Sequence, residues 1–173
     1  EPELALRIER WLRGQDDKSL QRVLESRFRD APRKAFELLV RHGHLPTTAD
    51  LEVLQANLRA DFPEAALEHA AALALPAIAG EPGPALFSID DAETREVDDV
   101  LTVSEEDGLL RVDVDIADVS AVVRPGDPVD REAQRRASTA YMPTGTYYML
   151  PERIGCELAS LHVDEPRHAV RTS

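Results

Sequence analysis

The stretch Ala79-Gly80-Glu81-Pro82-Gly83-Pro84 divides this chain into two parts of different hydrophobic period. Glycine and proline at that density cannot continue a helix, so a linker is predicted there. Before it, apolar residues recur at helical spacing: Leu4, Ile8, Trp11 and Leu12, then Leu20, Val23, Leu24 and Phe28, then Phe36, Leu39 and Val40. After it the period is two. Arg111, Asp113 and Asp115 alternate with Val112, Val114 and Ile116, which predicts a strand with one buried face and one lined with charge. The fold class is therefore α+β. A small helical domain, helix-turn-helix-like, is expected over residues 1–79, a linker over 80–85, and a mixed α/β domain over 86–173.

Local signals fill in the elements. Gly14 closes the first helix, and Asp30 with Pro32 opens the third. Thr47 or Thr48 is expected to cap a fourth, carrying Leu51, Leu54 and Leu58. An alanine-rich fifth starts after Phe62-Pro63-Glu64 and runs through Leu75 to Pro76. Val100–Ser104 and the run from Leu109 read as a hairpin around a turn containing Gly108. Val119–Val123 is expected to be extended, Asp130–Ala140 an amphipathic helix, and Tyr141–Leu150 irregular and aromatic. Pro151-Glu152 opens a short helix, and Val170 to Ser173 reads as a strand cut part-way. The basic helices suit either an RNA-binding module or a packing domain.

At 173 residues and 43% apolar, the chain can bury a core. It has no run near the roughly 18 apolar residues that span a bilayer, so no membrane association is expected. It starts at Glu1 without a signal-peptide pattern, which reads as a trimmed or partly ordered product. The single Cys156 excludes an internal disulfide and fits a reducing, cytoplasmic setting. A net charge of −13 argues against simple phosphate clamping. The charge is uneven, however. Ten of the 20 basic residues precede Gly43, among them Arg27, Arg29, Arg33 and Lys34. This distribution fits a basic arm gripping a polyanion, and equally helix faces carrying exposed salt bridges.

The acids concentrate after Phe87. Asp90, Asp91, Glu93, Glu96, Asp98 and Asp99 lie between the apolar runs Ala85–Phe87 and Val100–Val103. Carboxylates crowded at strand ends repel one another and lose hydration unless a cation holds them. Hard divalent ions take such oxygen ligands, so the segment is either a metal site or a solvated acidic loop. Adjacent Asp98 and Asp99 would point to opposite faces of a regular strand. To reach one site they need an irregular turn between Glu93 and Asp99. An EF-hand fails on ligand spacing, and Cys156 and the histidines form no nucleophile scheme.

The segment Ser88-Ile-Asp90-Asp-Ala-Glu-Thr94-Arg-Glu96-Val-Asp98-Asp99 resembles the active-site motif of the ribonuclease II (RNB) family. Further matches, in the family's order, are Asp115-Ile-Ala-Asp118, Val123-Arg-Pro-Gly126, Asp130-Arg-Glu-Ala133, Ala140-Tyr-Met-Pro143, Met149-Leu-Pro-Glu152 and Leu158-Ala-Ser-Leu161. The resemblance covers about Leu86 to Val170, the first half of the family's catalytic domain. It implies a processive hydrolytic 3′-to-5′ exoribonuclease that releases 5′-nucleoside monophosphates from single-stranded RNA, using magnesium with manganese as a substitute. It implies that Asp90, Asp99, Glu96 and Asp98 bind metal, with Asp98 and Glu96 catalytic. Tyr141 matches the family's stacking aromatic, and Arg135 and Arg136 on the helix before it are further candidates for RNA contact.

Two departures matter. Glu96 stands where the family usually has a fourth aspartate, which leaves room for a catalytically weakened RNA-binding scaffold. The N-terminal helices do not resemble the cold-shock barrels that usually precede the domain, which makes the basic helices the candidate for RNA capture. The family's later catalytic residues and C-terminal barrel lie outside this sequence, so the fragment alone is expected to be inactive until the rest of the polypeptide completes the site.

Overall fold

A computed structural model describes residues 2–78 and 86–172. The predicted linker at 80–85 lies outside the described residues. The chain forms two compact units, one of residues 1–60 with 140–147, the other of residues 61–139 with 148–173.

The first unit holds α1 (Pro2–Leu12), α2 (Lys18–Arg27), α3 (Ala31–Arg41) and α4 (Leu51–Gln55). Its core joins Ala5, Ile8 and Leu12 to Leu20, Leu24, Ala31, Ala35, Leu39 and Leu54. Small Ala31 and Ala35 bring α3 close to its neighbours. Gly14 closes α1 at φ +84°, a conformation that costs glycine nothing. Asp30 caps α3, accepting from Arg33 N at 3.2 Å, with Pro32 in the first turn. The fourth helix is capped by Asp50, which accepts from Glu52 N at 2.8 Å, and not by Thr47 or Thr48. Aspartate next to the apolar run supplies the shorter reach, and α4 starts only at Leu51. This unit also carries a small hairpin, β3 (Ala140–Met142) and β4 (Gly145–Tyr147), in the segment expected to be irregular. Pro143-Thr144 makes the turn, and Gly145 opens β4 at φ +147°.

The second unit begins with α5 (Glu64–Ala72), which the sequence pattern groups with the preceding helices. It packs instead into a core of Ala70, Val122, Val123, Val129, Leu150, Ile154 and Leu158, because an alanine face lets α6 (Pro128–Arg136) come close. It ends at Ala72, before Leu75 and Pro76. α6 starts two residues ahead of Asp130, because Asp127 is the cap and Pro128 fits the first turn. It stops at Ala137, which turns left-handed at φ +64°. Residues 119–121 form a 3-10 turn capped by Asp118 and not an extended run, since Asp118 accepts from Ser120 N at 3.1 Å.

The sheet has the order β1-β2-β5, with β1 at Asp99–Glu106, β2 at Leu109–Ala117 and β5 at Ala169–Thr172, all antiparallel. Asp107 and Gly108, both at positive φ, make the tight β1–β2 turn. Its burial inverts the expected pattern. Asp113 and Asp115 are buried with Val100 and Thr102, whereas Val103, Val112 and Ile116 are about half exposed. The buried acids are satisfied by arginines. Arg171 grips Asp115 with Nε at 2.8 Å and Nη2 at 2.6 Å, and Arg111 Nε donates to Asp113 at 2.8 Å.

Candidate functional site: the carboxylate loop

The acid-rich loop is pinned at both ends by backbone bonds. Phe87 and Leu101 exchange N–H···O bonds of 3.0 and 2.8 Å, so the chain leaves and rejoins the sheet at one place. Between them the backbone turns at Ala92-Glu93, with Thr94 N donating to Asp91 O at 2.9 Å, and bends at Arg95. This is the irregularity expected between Glu93 and Asp99. Fully buried Ser160 then clamps the loop, donating its hydroxyl to Arg95 O at 3.2 Å and accepting from Val97 N at 3.0 Å. Leu161 N donates to Val97 O at 2.9 Å and Ala117 N to Asp98 O at 2.8 Å. Asp98 thus sits just ahead of β1, held through its backbone, and Asp99 is the first strand residue, opposite Ile116.

These attachments bring Asp90, Asp98 and Asp99 into one electrostatic neighbourhood. Burial pushes the Asp98 carboxyl above the ordinary aspartate range, and the negative charges of Asp99 and then Asp90 push it further. Each is a reason for the site to favour a proton or a cation over bare charge. Carboxylate oxygens in this number are the donors hard divalent ions take, so the residues fit such an ion chemically. Among the described residues, however, no group of three or more Asp, Glu, His or Cys side chains stands close enough together to hold one.

Glu96 also has partners beyond the aspartates. Its Oε2 accepts from Thr139 Oγ1 at 3.1 Å, and its other oxygen lies against Gly155. Gly155 belongs to the π-helical turn Arg153–Leu158, where the sequence pattern expects a short helix. The Cys156 thiol in that turn is pushed up by burial and then by the Glu96 charge. Arg95, next along, pairs with Glu152 at 2.7 Å.

The RNA-contact candidates divide. Tyr141 lies on β3 in the other unit and is 69% exposed. Arg135 is exposed and pairs with Glu132 at 3.2 Å. Arg136 is partly buried, with Nε on Glu132 at 3.0 Å, Nη1 on Tyr148 O at 3.1 Å, and its guanidinium 3.7 Å above the Phe62 ring. These partners are all within the protein. In the helical unit, Arg27, Arg29, Arg33 and Lys34 surround Phe28 in a shallow cleft where α2 meets α3. Sequence reasoning missed the supports Ser160, Thr139 and Gly155. Ser160 stands in one of the matching motifs, and its position there was the available signal.

Comparison with known proteins settles the class. The RNB domain family matches residues 84–173, and the chain belongs to that family. It is 33% identical to ribonuclease II, chloroplastic/mitochondrial, of Arabidopsis thaliana over 178 residues, which takes in 98% of this chain and 22% of that protein. Exoribonuclease 2 of Aeromonas hydrophila is 39% identical over 84 residues, 49% of this chain and 12% of that protein. Mycoplasma genitalium RNase R, solved with ribose-methylated single-stranded RNA, shares the fold with a TM-score of 0.63 at 23% identity, over 70% of this chain and 20% of that one. The chain thus spans about a fifth or less of the relatives it matches.

Proposed function

We propose that this chain supplies the first part of the catalytic centre of a metal-dependent, hydrolytic 3′-to-5′ exoribonuclease, which takes single-stranded RNA to 5′-nucleoside monophosphates. The observation that supports this most is the crowding of charge on Asp98 by Asp99 and Asp90, on a segment clamped by Ser160. Asp90 and Asp99 would hold magnesium, with manganese as a substitute, and Asp98 would share that role. Such an ion neutralises phosphoryl charge and acidifies its water. Asp98, which takes a proton more readily than an ordinary aspartate, is suited to orient the attacking water and receive a proton from it. Tyr141 offers an exposed ring on which a base can stack, and Arg135 an outlying cation. The cleft of Arg27, Arg29, Arg33 and Lys34 is our candidate for capturing the RNA backbone. The relatives bear ribonuclease names, and the Mycoplasma RNase R structures contain single- or double-stranded RNA. The chain alone is inactive in this reading.

A rival reading is an RNB-fold RNA-binding scaffold with weakened catalysis. It is favoured by Glu96 turning to Thr139 and Gly155. A labelled oligonucleotide incubated with the complete protein in magnesium or chelator separates the two. Magnesium-dependent release of mononucleotides is expected, lost in Asp98→Asn while RNA binding persists. Near-normal release by that variant removes Asp98 from the mechanism, and no release by the unaltered protein supports the scaffold.

A further inference from the structure

Glu96 has a glutamate's length in a place built to receive it. Its Oε2 accepts the Thr139 hydroxyl at 3.1 Å, and that hydroxyl in turn accepts the Met149 N–H at 3.0 Å. The Thr139 oxygen thus donates once and accepts once, tying the carboxylate loop to the chain on either side of residues 140–147. On its other side the Glu96 carboxylate fills the space over Gly155. A Cβ there would overlap Oε1 and lie 3.3 Å from Cδ. Gly155 is buried, and its φ lies outside the left-handed region, so backbone conformation does not require glycine. The carboxylate does.

We propose that Glu96 is a positioning residue and not a metal ligand, and that Glu96 and Gly155 form a size-matched pair fixing the segment that carries Asp98 and Asp99. The methylene that glutamate adds over aspartate is taken up by the Cβ that residue 155 lacks. Glu96 and Ser160 then hold neighbouring points of one short segment, Ser160 through backbone at Arg95 and Val97, Glu96 through its side chain. This rests on the reading that the neighbouring aspartates bind a divalent ion.

The test is a double-variant cycle in the complete protein, reading Mn²⁺ affinity by calorimetry, turnover, and amide hydrogen exchange across residues 94–98. Gly155→Ala drives the carboxylate off Thr139. The obstructing atoms are the end of a flexible side chain, so the fold should survive with a small change in melting temperature. Exchange of 94–98 should rise, and Mn²⁺ affinity should fall about tenfold, the scale of losses when a group behind a metal ligand is removed. kcat should fall with it while KM for RNA stays near its starting value. Glu96→Asp alone should weaken binding similarly by leaving a gap. Combined with Gly155→Ala it should restore affinity, kcat and exchange to within about threefold, since the shorter acid makes room for the methyl. Effects that simply multiply in the double variant overturn the pairing. So does Glu96→Ala with unchanged Mn²⁺ affinity and exchange. If exchange shows the rescue but the unaltered protein binds no Mn²⁺, the positioning holds and the nuclease reading fails.

Discussion

Asp17 concentrates more interactions than any other cap in the helical unit. It accepts from Leu20 N at 3.0 Å, from Arg7 Nη2 at 2.8 Å and from Ser19 Oγ at 2.8 Å, and these hold its carboxyl at about 2. A carboxyl depressed in the folded state adds stability above its unfolded value of 3.8, and that contribution disappears as pH falls through about 2. Melts followed by helical circular dichroism should therefore lose stability between pH 4 and 2 less steeply in Asp17→Asn. An identical slope would refute the assignment. Asp30, read from sequence as a cap, is one, since the signal is local to four residues. The partners of Glu96 were not legible in the same way. Thr139 and Gly155 lie 43 and 59 positions away, and no short-range rule connects them.

At the scale of elements, β2 is the sheet's centre and carries its least expected feature, acids on the buried face. Asp113 and Asp115 are tolerable there because Arg111 and Arg171 bring charge-assisted hydrogen bonds to them. The two partners are unequal. The Asp115 side chain is 8% exposed and that of Arg171 41%. Arg171→Met strands buried carboxylates and should be the more destabilising of the two. Asp115→Asn leaves an arginine that can rehydrate and should cost less. Urea denaturation of the two variants measures the difference, and equal losses would sink this account of β2. The alternation of residues 111–116 was legible as a strand, but which face is inward was not. Period two specifies that faces differ, and the paired arginine that reverses their burial sits on β5, about 56 residues on.

For the molecule as a whole, one side of the sheet leaves a row of apolar side chains exposed. Phe87, Val103, Leu110, Val112, Ile116 and Val170 are each about half exposed or more, and strand register puts them on the face that Asp99 shares. Apolar surface of this extent drives association. The 173-residue chain by itself should bind a hydrophobic dye and self-associate in light scattering, and Val112→Lys with Ile116→Lys should reduce both. A strictly monomeric chain that binds no dye would contradict this. The β1–β2 hairpin, the Asp30 cap of α3 and the acid-rich segment were determined by the sequence alone, since each depends on period, turn chemistry or charge within a dozen residues. Tertiary structure alone decided that α5 joins the second unit, that the charged face of β2 is inward, and that Glu96 meets Thr139 and Gly155. Those outcomes depend on which distant side chains supply an alanine face, an arginine or an absent Cβ, and such complementarity exists only once the chain has folded.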